Sequence, residues 1–316
     1  MTRQRDSEAG VAQSAEIVVG VCTFRRNDQL SVLLETLAAV SRQQSGRRRI
    51  MILVVDDDPA GGARAVVHRL AASSDGRMLY RHAGSGNLSI ARNTVIEEGI
   101  ERGEWLALID DDCLPDPDWL EHLIDVQVRT RSDMVTGHVV YRARPGAARW
   151  LMNEPFCDFT AYEDGGEPAY GNTANVLLSS AFLKSSGVRF RPTLGLTGGE
   201  DMTFYADARS HGASLRYSAR SIVYEDLTSS RERLAYHLHR QFWLGNNMVV
   251  INRHTRNESM LRLLLRGAKR IVTSLVLPVL RYRRGQPAQV RWAVAYALQG
   301  LGLVLGVLGV TIRHRP

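Results

Sequence analysis

Short, unbroken apolar runs alternate with longer stretches of helical periodicity over the first 130 residues. That rhythm predicts an α/β fold, in which strands buried on both faces are connected by covering helices. Ile17 to Cys22 reads as the first strand. Leu30, Leu33, Leu34, Leu37 and Ala38 then mark one face of a helix that Asn27 or Asp28 can cap. Ile50 to Val55 is a second strand, and it stops at Asp56-Asp57-Asp58-Pro59. A short helix around Ala63 to Leu70, a strand at Leu79 to His82 and a helix from about Ser89 to Arg102 follow. The fourth strand, Trp105 to Ile109, stops at Asp110-Asp111-Asp112. Ligands of open α/β sheets bind at the carboxyl ends of strands, so the two acidic clusters are expected to face one crevice.

The pattern loosens after residue 130, with strands expected at Met134 to Tyr141 and near Asn175 to Ser179. A glycine-rich turn, Gly195 to Gly199, leads into Glu200-Asp201 and a helix through Arg209. From Ser259 the character changes again. Leu261, Leu264, Leu265, Ala268 and Val272 line one helical face, while Arg262, Arg266, Lys269 and Arg270 occupy another, as in a helix lying in a membrane interface. After a basic turn at Arg281 to Gly285, Trp292 to Ile312 runs for 21 residues without a charge, between Arg291 and Arg313. As a helix it would be roughly 30 Å long, the thickness of a hydrocarbon core.

Composition sharpens this picture at three points. With 44% apolar residues in 316, the chain can bury a large core. Cys22, Cys113 and Cys157 are odd in number and far apart, so they read as reduced packing residues. The net charge of +7 is uneven: residues 229–316 hold 15 of the 40 Lys+Arg and 2 of the 33 Asp+Glu, a net of +13, leaving −6 for the rest. A slightly acidic body with a basic, Leu-rich tail suits an anionic membrane surface and argues against nucleic acid as a partner. The expected division is a disordered N-terminus (1–15) without a secretory signal, a catalytic domain (16–250) and C-terminal helices (251–316). In the soluble alternative both tail helices pack on the catalytic domain or on a second subunit of a homo-oligomer.

Three adjacent aspartates repel one another, so solvent or a cation must neutralise them. Mg²⁺ or Mn²⁺ takes hard oxygen ligands of this kind, usually one or two carboxylates completed by substrate phosphates. Taken alone, the triplet reads equally as a solvated loop leading to Pro115 and Pro117, Asp56 as a capping carboxylate, and Glu200-Asp201 as an acidic pair favoured by a helix N-terminus.

An ordered series of motifs between about Ile17 and Gly245 resembles family 2 glycosyltransferases of the GT-A fold, and among them bacterial exopolysaccharide enzymes of succinoglycan type. The series comprises Val21-Cys22-Thr23-Phe24-Arg25-Arg26, Val54-Val55-Asp56-Asp57 and Asn87-Leu88-Ser89-Ile90-Ala91-Arg92-Asn93. It continues with Leu108-Ile109-Asp110-Asp111-Asp112, followed by Pro117, Trp119 and Leu120, and ends at Gly198-Gly199-Glu200-Asp201. Cys22 stands where the family usually has proline, and the Asn87 motif is shortened and lacks a glycine.

The resemblance implies a Rossmann-like, mainly parallel sheet with flanking helices, carrying here a membrane-associated helical tail. It further implies inverting, metal-dependent sugar transfer from a nucleotide diphosphate-sugar donor to a saccharide or lipid-linked acceptor. Thr23 would sit beside base and ribose, Arg25 near the diphosphate, and Asp56 would accept from the base edge. Asn87, Arg92, Asp110 and Asp111 complete the implied nucleotide site. Asp112 and Asp110 would hold the metal, with Glu225 of Val223-Tyr224-Glu225-Asp226 standing where many relatives carry a histidine ligand. Asp201 would be the base, oriented by Glu200. His237, His239, Arg240 and Trp243 form either a flap over the phosphates or a packing helix. The competing readings are a nucleotidyltransferase and a non-catalytic lipid-binding adaptor. Against the first, Thr23-Phe24-Arg25-Arg26-Asn27 lacks the glycine-rich phosphate loop of such enzymes. The expected location is the cytoplasmic face of a cell membrane, with a role in cell-surface polysaccharide or glycolipid synthesis.

Overall fold

The computed structural model describes residues 15–72, 74, 76–152, 162–256, 258–285 and 289–312. Residues 1–14 of the expected disordered segment, Cys157 and Arg313 lie outside the described residues. Within them, one sheet contains β1 (Ala15–Thr23), β2 (Ile50–Asp56), β3 (Met78–His82), β4 (Gly103–Asp110), β5 (Cys113–Pro115), β6 (Met134–Arg142), β7 (Val176–Ser179) and β8 (Leu215–Asp226). The strand order is β3-β2-β1-β4-β7-β6-β8-β5. The helices are α1 (Asn27–Gln43), α2 (Arg64–Ala71), α3 (Leu88–Ile100), α4 (Trp119–Thr130), α5 (Ser180–Ser186), α6 (Glu200–Ser210), α7 (Leu234–Thr255), α8 (Met260–Arg283) and α9 (Val290–Val307).

The sheet is mainly parallel as expected, with antiparallel pairings in its second half. β1 to β4 pair in parallel, but β7 runs antiparallel to β4 and β6, and β5 antiparallel to β8. The β6–β8 pair is parallel again. Parallel pairing needs a crossover helix each time, and the strict strand–helix alternation that supplies one stops near residue 130. The three-residue β5 had no apolar run to announce it.

The unbroken apolar strands resolve into two faces. Ile17, Val19 and Val21 of β1, with Ile50, Ile52 and Val54 of β2, pack on the layer of α1, α2 and α4. Val18, Met51, Leu53 and Val55 pack on α3, α5 and α6. A strand buried on both sides has no solvent face to mark with polar residues. Gly20 sits on the α3 face, where a methyl group would overlap the Val95 side chain, so α3 lies directly on the backbone of β1.

Local details differ from expectation. Arg26, rather than Asn27 or Asp28, is the N-cap residue of α1, and it makes no side-chain capping bond. Asn27 instead donates from Nδ2 to the Gly62 carbonyl (3.1 Å). Leu30, Leu33, Leu34 and Leu37 are buried as expected, whereas Ala38 is half-buried.

The C-terminal helices are part of the body. α7 crosses the 250/251 boundary, and α9 packs against both α7 and α8 around Val249, Leu263 and Leu303. α9 covers Val290–Val307 instead of Trp292 to Ile312; it is long and apolar enough to cross a membrane, and 33% of it is buried. α8 packs through Leu263, Gly267 and Ser274, leaving the expected apolar face, with Leu261, Leu265 and Val272, turned outward.

Gly20→Ala should lower stability by about 1–3 kcal/mol through overpacking against Val95. A urea unfolding midpoint unchanged from the parent would show that α3 is free to move off β1.

Candidate active site

β1, β2 and β4 end level with one another, because Thr23 pairs with Asp56 and Cys22 with Asp110. The acidic triplet therefore begins where the parallel strands stop. Its three carboxylates have different surroundings. The Asp110 side chain is the most open at 39% exposed, against 6% for Asp111 and 15% for Asp112. Asp111 accepts from Thr23 Oγ1 (2.8 Å) and Arg26 Nη1 (2.9 Å), and burial pushes its carboxyl up to about 6 despite Arg26. Asp112 accepts from Arg26 Nη1 (2.8 Å) and lies 3.5 Å from Arg231 Nη2. Burial, reinforced by Asp110, raises its pKa as well.

The short β5 brings Glu225 into this group by pairing Cys113 with it. Glu225 is ion-paired with Arg231, and burial together with Asp112 raises its carboxyl to about 7. Arg26 and Arg231 thus hold a set of hard oxygen donors that burial and mutual repulsion make unfavourable as anions. Among the described residues no three candidate ligands are spaced to enclose a cation alone. A divalent ion at this strand end would take one or two carboxylates and draw its remaining ligands from phosphate oxygens, which the donor set fits. A cavity of about 520 Å³ opens beside it, lined by Arg26, Gln29, Asp112, Arg231 and Tyr236 among others. A second, of about 490 Å³, lies at the N-terminal end of β4 and touches none of these groups.

A further carboxylate of the expected site is Asp201. It occupies the first turn of α6, and its Oδ1 accepts from the Met202 amide (2.7 Å). Burial raises its pKa, with Arg92 opposing and Asp110 adding to the rise. Through Arg92 the start of α6 is tied to the end of β4, where the acidic triplet begins. The neighbouring Glu200 is buried and accepts from Arg92 Nη1 (2.7 Å), while Arg92 Nη2 lies 3.3 Å from Asp110 Oδ1. The turn before α6 places Gly198 and Gly199 at φ of +82° and +84°, a region closed to most side chains.

Several residues expected to touch a nucleotide also make bonds to the surrounding scaffold. Asp56 is fully buried, and its oxygens accept from the amides of Asp58 (3.0 Å) and Ala63 (2.9 Å) and from Tyr80 Oη (3.0 Å). These bonds shape the loop after β2. Thr23 is buried against Asp111. Asn87 caps α3, accepting from Ser89 (3.1 Å) and Ile90 (3.3 Å), and donates to the Pro192 carbonyl (2.9 Å). Arg92 is buried and ion-paired with Asp110 and Glu200. Arg25 does lie at the rim, at φ +57°, with its guanidinium near Phe24 and bonded to Asp58 (3.1 Å).

Arg231 was not singled out from the sequence, and Arg26 was given no role. Adjacent arginines at a strand end and a basic residue six positions after Glu225 were the available signals. Of the flap candidates, His237 is buried against Trp150 and Arg231 O, and Trp243 Nε1 donates to Thr197 O (2.8 Å), so both pack.

Asp56→Ala should destabilise the protein in the absence of any ligand by roughly 1–3 kcal/mol, since buried donors lose their acceptor. Tyr80→Phe should cost about 1 kcal/mol by the same argument. Denaturant titration of both variants checks this; wild-type stability in Asp56→Ala would return that carboxylate to a ligand-binding role.

Residues 18–186 match the family model described as glycosyl transferase family 2. The succinoglycan biosynthesis protein ExoM of Rhizobium meliloti (strain 1021) is 31% identical over 233 residues, covering 74% of each chain. Two solved structures share the fold. S. aureus TarS 1-349 in complex with UDP-GlcNAc superposes with a TM-score of 0.53 at 15% identity, covering 92% of this chain and 90% of that one. The mannosyltransferase PcManGT from Pyrobaculum calidifontis, in complex with GDP-Man and Mn²⁺, gives 0.55 at 13% identity, covering 93% and 74%. These likenesses favour sugar transfer over nucleotidyl transfer or an adaptor role, and the chain belongs to glycosyl transferase family 2, as an enzyme of the GT-A fold.

Proposed function

We propose that this glycosyltransferase moves a sugar from a nucleotide diphosphate-sugar to a hydroxyl of a saccharide or lipid-linked acceptor, with inversion at the anomeric carbon. The observation that supports the reading is the Arg92 link between Asp110, at the end of β4, and Glu200, the residue before Asp201, in a setting that raises the pKa of Asp201. A base near neutrality needs such a raised carboxylate. Asp201 accepts the proton of the acceptor hydroxyl as that oxygen bonds to the anomeric carbon. The bond from that carbon to the phosphate oxygen breaks, and its electron pair leaves with the nucleoside diphosphate. Attack opposite the leaving group inverts the centre.

Arg26 and Arg231, already drawn to Asp112, are placed to meet diphosphate oxygens as well. Glu200 fixes the start of α6 through Arg92 and so orients its neighbour. Asp110, Asp112 and Glu225 are the residues that would hold Mg²⁺ or Mn²⁺. Such an ion, when bound, offsets the charge that develops on the leaving diphosphate. The ExoM likeness and the Mn²⁺-bound relative PcManGT support both the metal and a role in cell-surface polysaccharide or glycolipid synthesis. The basic tail and the outward apolar face of α8 support residence on the cytoplasmic leaflet of the cell membrane.

A panel of nucleotide sugars, assayed with Mn²⁺, tests the assignment. Asp201→Asn should lower kcat by about 10²–10⁴-fold with donor KM preserved. Asp112→Ala should abolish turnover by weakening donor and metal binding together. Loss of donor binding in Asp201→Asn would assign that residue to phosphate or metal instead, and a product with the donor's anomeric configuration would refute inversion.

The base must be ionised to act, and burial lifts its pKa above the ordinary aspartate range. Activity should therefore fall on acidification through that raised value. A kcat profile that stays flat down to the ordinary aspartate range would exclude Asp201 as the base.

A further inference from the structure

The outward face of α8 is long and continuous. Leu261, Leu265, Val272, Leu275, Val276 and Val279 recur at helical spacing and are 47–68% exposed. They span about 27 Å of helix. Arg262 and Lys269 are exposed along one flank of this stripe. Only two acidic residues follow position 228; Glu232 is paired with Arg144 and Glu258 with Arg266. An aliphatic stripe with a cationic flank and a surplus of positive charge is complementary to the interface of an anionic bilayer.

What lies behind this face reaches the catalytic turn. On its inner side α8 comes into backbone contact with α9 at Gly267: a Cβ at Gly300 would stand 2.7 Å from the Gly267 carbonyl. α9 meets α7 in the same way, since a Cβ at Gly302 would overlap the Phe242 carbonyl and one at Gly245 the Gln299 carbonyl. Asn246 of α7 locks the pair. It donates to Gly302 O (3.4 Å) and Val310 O (2.8 Å) and accepts from the Ile312 amide (3.1 Å). Arg253 adds a bond to Gly306 O (2.8 Å).

The opposite side of α7 grips the turn that leads to Asp201. Trp243 donates to Thr197 O (2.8 Å). Asn247, with its amide oriented to satisfy both neighbours, donates to Gly198 O (3.0 Å) and accepts from the Gly199 amide (3.2 Å). A Cβ at Gly199 would come within 2.7 Å of Ile251. One helix therefore touches the lipid-side pair with one face and the catalytic turn with the other. Bodies in backbone contact move together, because no side chain can change rotamer to absorb a shift.

We propose that docking of α8 on an anionic lipid surface is transmitted through α9 and α7 to the Thr197–Asp201 turn, so that the membrane raises turnover as well as fixing location. The inference rests on the membrane reading of the tail given above. The stimulus acts on the placement of the base, and so on kcat more than on donor KM.

The test uses the full-length protein with vesicles of equal parts phosphatidylglycerol and phosphatidylcholine, and with phosphatidylcholine alone. Flotation should show binding to the anionic vesicles only. With them kcat should rise about fivefold or more, and hydrogen exchange across residues 197–201 should slow, a readout that needs no substrate. Leu265→Asp with Leu275→Asp should abolish binding and stimulation while keeping the vesicle-free rate. Asn246→Ala should bind vesicles and lose both the stimulation and the exchange protection, and Arg253→Met should act in the same direction if Asn246→Ala does not fold. Binding with no change in exchange or rate overturns the relay and leaves the membrane reading intact. Absence of binding overturns both. Stimulation that survives in Asn246→Ala and Arg253→Met overturns the relay. Slowed exchange without turnover of any nucleotide sugar keeps the relay and removes the assigned reaction.

Discussion

A guanidinium withdrawn from water must find counter-charges, and Arg92 finds them on two elements far apart in the chain. Asp110 closes β4 and Glu200 opens α6, and both reach the same side chain from α3. Breaking such a buried pair leaves an uncompensated charge, a cost of about 3–5 kcal/mol, so the pairing resists rearrangement. The strand end with its acidic triplet and the helix that carries Asp201 are thereby held in one relation. Most of the site's geometry follows from this joint.

Around the joint, charge is balanced locally. Asp111 and Asp112 lean on Arg26, and Glu225 and Asp112 on Arg231. Carboxylates raised by burial are costly as anions unless cations stand beside them, and here the cations come from side chains that can also meet phosphate. The same economy explains Asp56, whose buried oxygens are spent on the loop after β2.

Glycine sets the remaining distances. Gly198 and Gly199 let the chain turn into α6 at positive φ, directly beneath Trp243 and Ile251. Gly245, Gly267, Gly300 and Gly302 bring three C-terminal helices into backbone contact. A tail that composition marks as an appendage is in this way built against α7, the helix that bonds to the turn before Asp201.

The sequence alone determined the strands of the first half, because doubly buried strands must be unbroken apolar runs and their covering helices must repeat every three to four residues. It also determined the acidic strand ends and, by resemblance, the family. It misplaced the cap of α1, because several polar residues there could serve and only the local backbone chooses. β5 escaped notice, since three residues carry no periodicity, and with it went the pairing that sets Glu225 beside Asp112. The scaffold partners of Thr23, Asp56, Asn87 and Arg92 became visible only in the tertiary structure, because a polar residue in a motif can face a ligand, its own scaffold or both. The α8 periodicity was legible, but which face would meet the protein was not. An apolar stripe seeks any low-dielectric neighbour, and only the packing of Gly267 on Gly300 shows that the larger stripe stays exposed among the described residues.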